Sequence, residues 1–362
     1  MIIFVNYKKK SFHSFKYRFL LIIIFLLFLN YAKRKYSLSL VNIKEFFEPF
    51  TYWIKQHNNS NIIIELNNYK ERYLFLKNKT EFYFHVRNRY LKKAHIYYNE
   101  SNLTTFQDKL NWLVIHESPQ YKSSLVDKIK LHDYSKKIIG KDICVPILKI
   151  YNNVNEINFN DLPDKFVLKL NHGSGMNIVC DNKSEFNIPK ALKKLKKLKN
   201  INYGLATTEF QYIYVERKIF AEKFLDKNLI DYKIFCFNGE PKFIQVRKRL
   251  NNTNNTYLHN HYNENWELTE IESGIPGYIR EPNINIKKPK NLKLMLKYAR
   301  LLSREFVFVR VDLYEYEDKV YLGELTFTPT NGFVYWKNYE QSFYFGKLMN
   351  LKKIKNYLFN KN

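Results

Sequence analysis

The chain has 362 residues, with 60 lysines and arginines against 34 aspartates and glutamates and a formal net charge of +26 at pH 7. That length suffices for two or three domains with a proper core, and the charge favours anionic partners such as nucleotides, acidic sugars, polyanionic glycans or acidic lipid head groups. It does not point to nucleic acid, because the lysines accompany a general richness in Asn, Ile, Phe and Tyr, all with A/T-rich codons, and no RNA-reading aromatic–basic signature or zinc-finger spacing occurs.

Residues 1–45 form a basic, apolar appendage with no acidic residue before Glu45. Within it Phe19 to Leu29 is an unbroken apolar run between Lys16, Arg18 and Lys33, Arg34, Lys35. The run falls short of the roughly 20 residues a bilayer-spanning helix needs, and no small-x-small cleavage site follows it. Basic flanks on both sides suit a segment lying on an anionic inner leaflet; a buried helix or a signal-like anchor are the alternatives. Residues 46–102 are aromatic-rich and carry only weak strand signals such as Ile62–Leu66. Cys144, Cys180 and Cys236 lie far apart in apolar runs and read as reduced core residues of a cytosolic compartment.

From Leu103 the pattern sharpens. Helix-spaced apolar positions cover Leu103–Glu117 and Ser123–Ile139, the second stopped by Gly140. Lys165–Leu170 reads as a strand running into Asn171–His172–Gly173–Ser174–Gly175, with a second strand, Asn177–Cys180, completing a hairpin. Ile188–Asn200 is a lysine-laced helix with a solvated basic face. Ile219–Leu225, Tyr232–Asn238 and Phe243–Val246 alternate as antiparallel strands, and Leu292–Ser303 is an amphipathic helix. Val309–Leu313 and Val320–Thr326 follow as two short buried strands about a charged turn.

Five places in this pattern carry chemistry. Asp312 and Glu324 sit one on each of the last two strands, where paired carboxylates need a cation between them; Mg²⁺ is the usual solution, and a salt bridge to Arg310 or a partly exposed edge the alternative. Lys169 precedes a loop whose glycines, Gly173 and Gly175, let backbone N–H groups approach phosphate oxygens, or the segment is a plain hairpin with an exposed lysine. Glu222 lies on an otherwise apolar strand and could accept from an adenine amino group or a ribose hydroxyl, or pair across the sheet with a lysine. Lys233 could reach a phosphate. His259 and His261 could contact an anionic substrate, or be ordinary loop residues.

The order strand-lysine, glycine loop, strand-glutamate, basic strand, Asp312 and Glu324 resembles the ATP-grasp superfamily, and within it the TupA-like branch linked to teichuronopeptide and other surface-polysaccharide biosynthesis. The segments that carry the likeness are Thr105–Leu113, Leu162–Lys169 with Asn171–Gly175, Asp231–Val246, Phe308–Leu313 and Gly323–Pro329.

The resemblance implies an α+β ATP-grasp fold, in which two α+β subdomains hold ATP between antiparallel sheets. With the composition, this divides the chain into 1–45 as a basic, apolar segment and candidate membrane-surface anchor outside the resemblance, 46–102 unassigned, 103–160 as an N-terminal helical part, 161–345 as the nucleotide- and metal-binding domain, and 346–362 as a basic tail. It implies Lys128 and Lys169 on the α/β-phosphates, closure of His172, Gly173, Ser174 and Gly175 over them, and adenine and ribose held by Glu222 with the backbone of Lys223, Phe224 and Leu225. Asp312, Glu324 and Thr326 would ligate Mg²⁺, Thr326 standing where most members have Asn. Arg310 would steady an acyl-phosphate, with Lys233 as the second catalytic cation. Thr330–Asn331–Gly332 replaces the small loop expected after Pro329.

The function implied is an ATP- and Mg²⁺-dependent carboxylate–amine (or carboxylate–hydroxyl) ligase, adding an amino acid or similar group to a capsular or cell-wall precursor. Its substrate would be an anionic small molecule or glycan precursor, its place cytoplasmic at the inner membrane face, and nucleic acid no partner. The alternatives are a glycosyltransferase of the same pathway, for which no Asp-x-Asp motif is present, and an inactive binding protein that keeps the fold.

Overall fold

The computed structural model describes residues 101–353, apart from 118, 208, 250–256, 276, 285, 333 and 335. The apolar run at 19–29 and the rest of residues 1–100 lie outside the described residues, as does most of the C-terminal tail. Among the described residues no helix is long and apolar enough to cross a membrane.

The chain opens with α1 (Phe106–His116), capped by Thr105 and Asp108, each of which accepts a hydrogen bond from the other's backbone N–H. The single helix expected over Ser123–Ile139 is two, α2 (Pro119–Val126) and α3 (Leu131–Ile139). Asp127 makes the break: its Oδ1 accepts from the Ile129 N–H at 3.0 Å and from Asn171 Nδ2 at 2.9 Å. Such local side-chain bonding competes with the helix ladder, and here it leaves Lys128 projecting from a turn. Gly140 closes α3 in the left-handed conformation, φ 85°.

A four-stranded sheet follows, ordered β1-β4-β2-β3 and antiparallel throughout, from β1 (Ile147–Tyr151), β2 (Phe166–Leu170), β3 (Asn177–Cys180) and β4 (Ile219–Lys223). One face buries Phe166, Leu168, Leu170, Ile219 and Ala221 against Leu195 of α4 (Ile188–Lys199). Pro189 in the first turn of α4 and the Asn187 side chain, which accepts from Lys190 N–H, start that helix. The short helix α5 (Tyr203–Thr207) and a 3₁₀ turn (Phe210–Tyr214) lead into β4.

The second sheet has six strands in the order β10-β9-β5-β6-β7-β8. They are β5 (Asp231–Phe237), β6 (Glu240–Arg249), β7 (Tyr257–Tyr262), β8 (Tyr278–Ile279), β9 (Phe308–Tyr316) and β10 (Lys319–Thr326). Its back face, with Ile234, Cys236, Ile244, Val246 and Leu258, packs on α6 (Leu292–Ser303) through Met295, Ala299 and Leu302. The front face is divided along its length. At one end Phe235, Phe237, Phe243 and Phe308 pack edge and face with Phe106 of α1 and Phe345 of α7 (Glu340–Leu348). At the other end the same strands present charged residues. Fully burying each phenylalanine is worth about 1.5–3 kcal/mol, so the aromatic end fixes the sheet against its helices and leaves the charged end available.

Three expectations change. The histidine segment expected as loop is strand β7, with His259 and His261 buried. A boundary at 345/346 falls inside α7, where Gly346 packs against the Thr104 carbonyl and Lys109 Nζ donates to the Gly346 carbonyl at 2.7 Å. A boundary at 160/161 separates β1 from β4, its ladder partner. The three cysteines are free and buried, as expected.

Candidate functional site

Strand register arranges the charged end of the six-stranded sheet in rows. Glu324, Asp312, Lys233, Gln245 and His261 are successive ladder partners across β10, β9, β5, β6 and β7. Two residues along, Asp231, Arg247 and His259 form a second row; on the other side lie Thr326, Arg310 and Phe235. A cavity of about 440 Å³ separates these rows from the smaller sheet, which contributes Lys169, Ser174, Gly175 and Asn177. Lys128 enters from the break between α2 and α3.

Asp312, 1% exposed, is the hub of the ion pairs. Its Oδ1 accepts from Arg310 Nε at 2.6 Å, and its Oδ2 from Arg310 Nη2 and Lys233 Nζ, each at 2.6 Å. Burial pushes the Asp312 carboxyl up, while Arg310 and Lys233 pull against it. Burial also opposes the charge on Lys233, yet Asp231, 3.3 Å away, and Asp312 raise it above the ordinary lysine range. Arg310 is likewise raised, by Asp312 and Glu324 against burial. Both side chains therefore stay charged.

Glu324 is held more loosely. Thr326 Oγ1 donates to it at 3.3 Å, Arg310 Nη2 lies 3.4 Å away and Lys128 Nζ 3.5 Å away. Against burial, Lys128, Lys233 and Arg310 draw its carboxyl down to about 2. An ionised carboxylate with only long contacts keeps acceptor capacity for a hard cation, whereas Asp312 has both oxygens taken. The salt bridge to Arg310 is thus present, and any cation shared by Asp312 and Glu324 competes with it.

Lys128 also ties the glycine loop to this wall, donating to the Gly173 carbonyl at 2.7 Å. Gly173 has no room for a side chain: an added Cβ would lie 2.9 Å from carbons of Met176 and Tyr203. His172 is buried beneath the loop, and burial together with Arg217 and Lys128 lowers it to about 4, so it is neutral. Lys169 Nζ donates to Glu222 at 2.5 Å, the cross-strand pair given above as the alternative for Glu222. The Lys223 N–H donates to the Pro146 carbonyl at 2.9 Å and is already committed.

Of the residues singled out from sequence, Lys128, Lys169, Ser174, Gly175, Lys233, His259, Arg310, Glu324 and Thr326 line the cavity. Asp312, Gly173 and Glu222 support those residues through the bonds just described. His172, Lys223, Phe224 and Leu225 are not among the lining residues. The lining also includes residues that sequence reasoning missed: Glu209, Asp231, Arg247, Tyr278, Thr328 and Trp336. Glu209 accepts from Thr328 Oγ1 at 2.7 Å, and burial raises its carboxyl to about 7. Thr330 and Asn331 close one end in left-handed conformations, φ 53° and 56°, which are uncommon for residues other than glycine and rare for a β-branched one. Glu209 lies among Thr207, Thr208 and Gln211 in sequence, so no local contrast marked it.

The family described as TupA-like ATPgrasp matches residues 108–350. The chain belongs to the TupA-like ATP-grasp family. Its two facing sheets, antiparallel but for the β7–β8 pair, are accordingly an ATP-grasp fold. No protein of curated function matches the chain. Similar solved structures include D-alanine–D-alanine ligase from Helicobacter pylori, at 16% identity over 62% of this chain and 61% of that one with a TM-score of 0.35. D-alanyl-alanine synthetase A from Vibrio cholerae is similar at 11% identity, over 69% and 72%, with a TM-score of 0.41. L-amino acid ligase from Bacillus licheniformis follows at 11%, over 70% and 56%, with a TM-score of 0.38. The TupA-like chain thus spans about three fifths of the length of the first of these, and such distant likeness carries no statement about its reaction.

Proposed function

We propose that the protein is an ATP- and Mg²⁺-dependent ligase that joins a carboxylate to an amine, or to a hydroxyl, through an acyl-phosphate. The observation that carries this reading is the convergence of Lys128, Lys169, Lys233 and Arg310 with Glu324 in one cleft of an ATP-grasp protein. Phosphoryl transfer is chiefly positioning and charge neutralisation, which such a set supplies without a covalent nucleophile.

In this reading Lys128, Lys169 and the loop amides of Gly173–Gly175 hold the nucleotide phosphates, with Glu222, bonded to Lys169, behind them towards the base and ribose. Glu324 and Asp312, with Thr326 beside them, are hard-oxygen donors of the kind Mg²⁺ takes. Bound there, Mg²⁺ would supply Lewis-acid neutralisation of the phosphates. A substrate carboxylate oxygen attacks the γ-phosphorus, and the bond to ADP breaks. The amine nitrogen then attacks the acyl carbon, phosphate leaves and the nitrogen gives up a proton. Arg310 and Lys233, both held strongly protonated, act as fixed charges beside the acyl-phosphate and not as proton donors.

The TupA-like family and the net charge of +26 support a surface-polysaccharide precursor as substrate, at the cytoplasmic face of the membrane. The test is conversion of ATP to ADP by the purified protein with panels of carboxylates and amines. Turnover that needs Mg²⁺ and both co-substrates is expected. A protein that binds no nucleotide in the presence of Mg²⁺ would overturn the reading.

A further inference from the structure

Beyond Lys233 the cleft continues along the second row of the sheet, where Arg247 stands between Asp231 and His259. Asp231 is the ladder partner of Arg247, so an ion pair between them is the expected arrangement. It is not made: Asp231 turns to Lys233 at 3.3 Å, and its Oδ1 is buried with no hydrogen-bond partner. Among the described residues Arg247 has no carboxylate within 4.0 Å. Its guanidinium instead lies 4.2 Å from the ring centre of Tyr257 and 5.6 Å from that of Tyr278.

Aromatic faces hold a guanidinium in place while leaving its N–H edge free, which favours a planar anion in bidentate contact. His259, stacked on Tyr278 at 4.5 Å, is lowered by burial, His261 and Arg247 to about 2 and adds no charge. With Asp231 turned to Lys233 and His259 neutral, the Arg247 guanidinium is left as the charge that this row offers a ligand.

We infer that Arg247, held by Tyr257 and Tyr278, forms an anion subsite for a carboxylate that the reaction does not consume. The inference rests on the ligase reading and narrows its substrate class: one of the two joined molecules carries a second acidic group. An amino acid and a uronic acid both present that chemistry. A carboxylate lost as an acyl-phosphate would be drawn to Lys233 and Arg310; the bystander group would be fixed at Arg247 and set the register of the substrate in the cleft.

The experiment measures binding by calorimetry of two matched pairs, L-alanine against L-alaninamide and D-galacturonate against D-galactose, to wild-type protein and to Arg247→Met, with and without ATP and Mg²⁺. The wild type should prefer the carboxylate member of at least one pair, and which pair responds identifies the source. Arg247→Met should lose about tenfold to hundredfold for that member, with no change for its carboxylate-free twin or for ATP. A wild type that prefers neither carboxylate overturns the inference, as does a variant unchanged towards the acid or weakened equally towards acid and twin. Because ATP is titrated separately, loss of nucleotide binding in the wild type strikes the ligase reading, and the carboxylate preference is still read without ATP.

Discussion

Replacing Asp312 by asparagine is the most exacting perturbation of the charged row. The carboxylate accepts three hydrogen bonds of 2.6 Å from two cations whose side chains are only 12% and 10% exposed. Removing one member of a buried ion pair costs about 3–5 kcal/mol, because the remaining charge stays buried. The variant keeps one carbonyl acceptor, and Asp231 and Glu324 still offset the cations, so the lower end, about 3 kcal/mol, applies. That is a large part of the roughly 5–15 kcal/mol that holds a domain folded. With a urea slope of about 3 kcal/mol/M, the midpoint should fall by about 1 M. Adding Lys233→Met removes one of the stranded charges, so the double variant should lose less than the sum of the singles, by about 0.5–3 kcal/mol. Urea unfolding of the four proteins measures both quantities. A midpoint for Asp312→Asn within 0.2 M of wild type (about 0.6 kcal/mol at that slope), or strictly additive losses, would refute the reasoning.

Glu209 gives a pH dependence of defined sign. Its folded carboxyl, at about 7, lies above the ordinary value of 4.5, so the folded chain keeps a proton that the unfolded chain releases. This contribution is complete below about pH 4.5 and is lost as pH rises through 7, at most about 3 kcal/mol. Glu209→Gln should therefore gain on wild type between pH 5 and pH 8 in urea unfolding; a constant difference would show that burial does not raise the group. Lys128→Met removes both the tie to the Gly173 carbonyl and the leading cation on Glu324. Affinity for ATP with Mg²⁺ should fall about tenfold to hundredfold, measured by calorimetry, and undiminished affinity would remove Lys128 from the phosphate site.

Much of the site was legible because it lies on strands with clear alternation. On β9 and β10 apolar residues bracket Arg310, Asp312 and Glu324, so the charged positions stood out and their shared face followed from period two. Strand β7 hid itself: Leu258 packs on the back face while His259, Asn260 and His261 are all polar and buried, which erases the contrast that marks a strand. The helix break at Asp127 depends on Asn171, 44 residues away, and Glu209 meets Thr328 across 119 residues, contacts no local pattern encodes. The pairing of Arg247 with tyrosines in place of Asp231 depends on side-chain packing after register is set. Local chemistry was therefore readable, and the partners that tune it were not.

The central claim is that this cleft binds ATP through Mg²⁺ held at Glu324. Calorimetric titration of ATP into wild type and Glu324→Gln, each with Mg²⁺ and with EDTA, tests it most directly. The account predicts wild-type binding that requires Mg²⁺ and a loss of at least about hundredfold in Glu324→Gln, as expected when a charged ligand is removed from a metal site. ATP binding that is equally tight in EDTA, or unchanged in the variant, would contradict it.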